Sequence, residues 1–154
     1  MTLLPYIDGQ RRMQFISWRG LKLPDVTTWH EPLPDKCPPE EACRPDGDVF
    51  FRLVANFPPY ERDFLSQRAL APKRKFRTVN ECQAHSISLF DDEQLCAGLR
   101  ALPGFQQKQL MVEIKLPDDA GVINSTGTKG HYSWWRSKDF DPVPYCSLVK
   151  SVGT

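Results

Sequence analysis

Few residues in this chain are suited to chemistry, and they lie far apart. Arg52 interrupts the apolar run Val49-Phe50-Phe51-Arg52-Leu53-Val54, and His85 precedes the pair Ser86-x-Ser88. His131 opens the stretch His131-Tyr132-Ser133-Trp134-Trp135, and two carboxylates flank an aromatic ring in Asp139-Phe140-Asp141. By residue type alone, Arg52 is a paired or solvated strand residue, and Ser86 and Ser88 form the polar face of a strand. The basic run Arg68, Lys73, Arg74, Lys75 and Arg77, with Phe76 among them, is either a solvated loop or a surface facing phosphate. Trp134 and Trp135 point to opposite sides of an extended chain, which expects one ring in the core and the other free to stack.

No P-loop, G-x-G-x-x-G, G-x-S-x-G or H-E-x-x-H is present. The five cysteines, at 37, 43, 82, 96 and 146, are read as reduced thiols, with Cys96 in the core. His30, Cys37 and Cys43 lack the tight paired spacing of a structural zinc site, so no metal is expected. Cys82 and His85 are neighbours in sequence, but no third group orients them as a nucleophile and its base.

The elements that must position these residues follow from pattern. Prolines concentrate between Glu31 and Glu41, among Glu31, Asp35, Glu40, Glu41, Asp46 and Asp48, so residues 31–48 form an irregular acidic connection. Within residues 1–30, Arg11–Arg19 reads as a short strand or as part of an arm that docks on a partner. Val49–Val54 is a strand, and Tyr60–Ser66 supplies one or two helical turns. His85–Phe90 alternates as a half-buried strand, and Leu95, Cys96, Leu99 and Leu102 mark an amphipathic helix from about 92 to 102. Gln109–Leu116 alternates again, Pro117–Gly121 turns the chain, and a last short strand falls near Tyr145–Val149. The result is an α+β fold: one domain with a mixed, mostly antiparallel sheet and few short helices. Residues 1–48 are an N-terminal arm with the acidic connection, and residues 49–154 are the core domain.

Length and charge agree with that reading. The chain has 154 residues and a net charge of +1, so bulk charge argues for no particular partner. There is no apolar run long enough to span a membrane and no export signal at the start, which predicts a cytoplasmic protein.

The order of an arginine strand, a basic loop, a strand bearing Ser86-x-Ser88, a helix, and then Leu110–Leu116 with Pro117-Asp118-Asp119-Ala120-Gly121 resembles ADP-ribosyltransferase-like domains over residues 49–149. The resemblance implies an enzyme acting on NAD or a nucleic-acid end, either an ADP-ribosyltransferase or an NAD hydrolase. It further implies a small toxin or effector with an inhibitory protein partner. Arg52 is then the pyrophosphate clamp, His85, Ser86 and Ser88 face the ribose, and His131 or Asp141 stands at the reacting carbon. The family's late Glu-x-Glu is missing, and Asp139-Phe140-Asp141 holds roughly its place. Two other readings remain open: a non-catalytic subunit of a larger assembly, and a nucleic-acid-binding module using residues 68–77.

Overall fold

A computed structural model describes residues 29–150; the expected strand at Arg11–Arg19 lies outside them. Six strands form one sheet: β1 (Val49–Val54), β2 (Ile87–Phe90), β3 (Leu110–Lys115), β4 (Gly121–Ser125), β5 (His131–Arg136) and β6 (Cys146–Leu148). Their spatial order is β4-β5-β2-β1-β3-β6. All five pairings are antiparallel. Three short helices, α1 (Gln67–Leu70), α2 (Glu81–Ala84) and α3 (Glu93–Gly98), lie in the connections. The fold is α+β, as the alternating strands and single amphipathic stretch indicate.

Side chains alternate across the sheet, so each cross-strand pair assigns its residues to one face. The main core lies on the face bearing Phe50, Val54, Ile87, Leu89, Val112, Ile114, Ile123 and Trp134. Phe64 and Ala120, each ending a 3₁₀ turn, and Leu116 and Phe140 from the connections close over it. The opposite face carries Leu53 and Met111, packed on Cys96 of α3 with Phe51, Phe90 and Leu99 around them. The 92–102 stripe therefore needs one amendment. Cys96 and the half-buried Leu99 pack inward, whereas Leu95 is exposed within α3 and Leu102 is exposed beyond Gly98, where the α-helix ends and tightens into a 3₁₀ turn.

The tryptophan pair is a second amendment. Trp134 is fully buried between Phe64 and Phe140, and its indole N–H donates to the Ala120 carbonyl at 3.0 Å. Trp135, on the other face, is also buried and donates to the Cys82 carbonyl of α2 at 3.0 Å. Neither ring is free to stack on a ligand, because β5 lies inside the sheet and both its faces are covered.

The acidic connection is irregular, as its prolines require, and it is tied to the sheet. Cys43 exchanges backbone hydrogen bonds with Ile123 on the edge strand β4, and Glu31 accepts from the Ser66 N–H and hydroxyl. Cys37 and Cys82 form a disulfide, which corrects the expectation of reduced thiols. Spacing along the chain gave no hint of the pairing, because the segment must first fold back to bring the two Cα atoms within 5.5 Å.

Candidate functional site

Ser88 and His131, 43 residues apart, meet on the face that carries α2 and α3. The register that pairs Phe90 with His131 and Ser88 with Ser133 places all four side chains on one side of β2 and β5. The Ser88 Oγ lies 3.0 Å from His131 Nε2. The neck of the β4–β5 hairpin holds the other end of the ring: Nδ1 is 3.0 Å from the Thr126 carbonyl and 3.1 Å from the Thr126 hydroxyl. That hydroxyl is in turn 2.8 Å from Ser133 Oγ. A carbonyl only accepts, so Nδ1 carries a proton; in the neutral tautomer this selects, Nε2 is the acceptor for the Ser88 hydroxyl. This is the tautomer in which an imidazole takes a proton from an oxygen. Phe90 meets the His131 ring edge to face at 5.2 Å and fixes its plane.

A carboxylate stands at the same corner. Asp91 follows Phe90 directly, its N–H donates to the Gly130 carbonyl at 3.0 Å, and its Oδ1 lies against Gly130, next to His131 in the chain. By residue type, either Asp91 or Asp92 can cap α3. Asp92 is the cap, accepting from the N–H groups of Gln94 and Leu95, which leaves Asp91 beside the hairpin. Gly130 has φ +88°, and a Cβ there would collide with Leu95 and Asp91, so this close approach requires glycine.

Arg52 reaches the pair from the opposite face. β1 and β2 share only the Phe51–Phe90 pair, and where they separate the guanidinium inserts. Its Nη1 donates to the Ser88 carbonyl at 2.7 Å and its Nε to the Asp63 carbonyl at 2.9 Å, with the Phe64 ring 6.0 Å away. Burial pulls the guanidinium down to about 10, with the Asp63 carboxylate opposing. Asp63 is itself buried and accepts from the N–H groups of Ala55 and Tyr60. Two of the three guanidinium nitrogens thus serve the fold, and Nη2 has no hydrogen-bond partner among the described residues.

The remaining nominated residues make their bonds elsewhere. His85 and Ser86 finish α2, a helix absent from the pattern analysis: His85 Nδ1 lies 2.7 Å from the Glu81 carbonyl, and the Ser86 hydroxyl donates to the Gln83 carbonyl at 2.7 Å. Asp141 is exposed and accepts from the Val143 N–H at 3.1 Å, beside Phe140 of the main core. The structure therefore gathers Ser88, His131 and the tip of Arg52, and leaves His85, Ser86 and Asp141 outside that cluster.

Four of the five cysteines add no nucleophile here. Cys82 is in the disulfide, so it forms no pair with His85, and Cys37 is lost to any thiolate cluster. Burial pushes the Cys96 thiol up to about 11 and the Cys146 thiol up to about 12, where the reactive thiolate is scarce at neutral pH. Among the described residues no group of three or more histidine, cysteine or acidic side chains is placed to hold a metal, and no helix is long and apolar enough to cross a membrane.

No protein-family model matches this chain, and neither a curated protein nor a solved structure matches it significantly.

Proposed function

We propose that the chain is an ADP-ribosyltransferase-like enzyme that takes NAD as substrate at the Ser88–His131 corner of the sheet. The observation that supports this reading is the Ser88 Oγ–His131 Nε2 contact, held from behind by Thr126 and from the opposite face by Arg52. Ser88 and Nη2 of Arg52 orient the ribose and its phosphate. His131 accepts the proton of the attacking hydroxyl, and Asp91 takes the place of the missing Glu-x-Glu carboxylate beside the positive charge that develops as nicotinamide leaves. Water as the attacking group gives NAD hydrolysis, and a hydroxyl on another molecule gives transfer.

The test is nicotinamide release from NAD by the full chain, alongside ligand-induced thermal stabilisation. His131→Asn is expected to lower turnover by about 100-fold or more with the melting temperature little changed, and Asp91→Asn to lower it without loss of NAD binding. A wild-type protein that neither releases nicotinamide nor is stabilised by NAD overturns the reading.

A further inference from the structure

The loop between α1 and α2 carries four cations that no carboxylate among the described residues pairs with. From Gln67, the start of α1, to Asn80 the chain contains Arg68, Lys73, Arg74, Lys75 and Arg77 and no carboxylate. Arg68 is occupied internally. Its Nε and Nη2 clasp Glu81 at 2.7 and 2.8 Å, and its Nη1 donates to the carbonyls of Pro72 and Arg74, both at 2.8 Å. One guanidinium therefore stitches the first half of the loop into a fixed shape and neutralises the only carboxylate at its end.

Phe76 holds the second half. Its half-buried ring lies under two guanidinium groups, that of Arg68 at 4.7 Å and that of Arg74 at 5.2 Å. The loop is anchored at both ends, by the Glu31–Ser66 hydrogen bonds ahead of α1 and by the Cys37–Cys82 disulfide within α2. Lys73, Arg74, Lys75 and Arg77 are all exposed, and among the described residues none of them has an ion-pair partner. The acidic 31–48 segment is linked to α2 through Cys37, yet its carboxylates form no bridge to these cations.

We infer that this loop is a binding surface for the phosphodiester backbone of a nucleic acid. A solvated charge run has no need of the Arg68 clasp or of the Phe76 platform, which together hold the backbone at Pro72 and Arg74 and the Arg74 guanidinium in place before any ligand arrives. A row of charges ordered in advance loses less entropy on meeting a regularly charged polymer. An anionic membrane surface fits less well, because such docking also inserts apolar side chains, and the aromatic ring here is held beneath arginines. The inference is independent of what Ser88 and His131 do. Trp135, over which Cys82 of α2 sits, is four residues along β5 from His131, roughly 13 Å at the rise of a strand.

Fluorescence anisotropy with labelled single-stranded RNA, single-stranded DNA and duplex DNA, across a salt series, tests it on the full chain. If all four cations meet phosphates, duplex affinity should fall by about 150-fold between 50 and 200 mM salt. The double variant K73A/K75A should reduce that fall to about 12-fold, and Arg77→Gln alone should flatten the slope by about one phosphate. The variants replace exposed side chains, and unchanged melting curves establish that they fold. Comparable slopes for RNA and DNA assign the backbone as the ligand, and a preference between them names the source. Affinity that is independent of salt or unchanged in K73A/K75A overturns the inference. So does binding to phosphatidylserine vesicles with none to the oligonucleotides.

Discussion

Arg52 shows how one side chain can be nominated for chemistry and still be needed by the fold. Its guanidinium supplies donors to the carbonyls of Ser88 and Asp63 where two strands separate. Arg52→Ala leaves both carbonyls short of a donor in a partly buried site, and each unsatisfied group costs about 1–3 kcal/mol. Urea unfolding should therefore show a loss of about 2–5 kcal/mol for the variant. A loss below about 0.5 kcal/mol would mean that the guanidinium is not holding the strands. Because the fold itself is expected to suffer, lost activity in Arg52→Ala says nothing about a phosphate contact. His131 and Asp91 are the cleaner probes, since Asp91 is exposed, His131 is only half-buried, and neither side chain spans the gap between β1 and β2.

At the scale of elements, α2 shows how electrostatics ties a short helix to its loop. Asn80 caps it, accepting from the Gln83 N–H at 2.8 Å, and Glu81 in its first turn lies at the favourable end of the helix. The hydrogen bond from Arg68 holds the Glu81 carboxyl below its ordinary value, with the charges of Arg68 and His85 adding to the effect. A lowered carboxylate stabilises the folded form fully above its unfolded value, about 4.3, and loses that contribution as pH falls through the lowered value. Amide hydrogen exchange of residues 71–80 should thus be slower in the wild type than in Glu81→Gln near neutral pH. The difference should vanish once the pH is below the lowered value. Equal protection at pH 6 would show that the clasp does not order the loop.

For the whole molecule, the sheet is closed by connections rather than by large helices, and the 37–82 disulfide joins two of those connections across a sequence separation of 45. A crosslink of that span restricts the unfolded chain, and the Cys37→Ala/Cys82→Ala variant should lose about 2–4 kcal/mol by denaturant titration. Reduction of the wild type should match the variant; a reduced protein as stable as the oxidised one would leave the bridge no role in stability. A disulfide persists in an oxidising compartment.

Local pattern carried much of this architecture, for a physical reason. Val49–Val54 is bounded as expected, and β2 and β3 fall within the alternating stretches, because alternation and turn residues act over a few neighbours. The sequence alone also nominated Ser88 and His131, by type and order. It could not determine that they touch, because a contact over 43 residues depends on the β2–β5 register. Nor could it separate Asp91 from Asp92, since either can cap a helix and only the hairpin packing against Gly130 distinguishes them. The burial of both Trp134 and Trp135, the pairing of Cys37 with Cys82 and the inward turn of Arg52 were likewise decided by tertiary structure. Each depends on what covers a face or closes a gap, and that is set by segments distant in the chain.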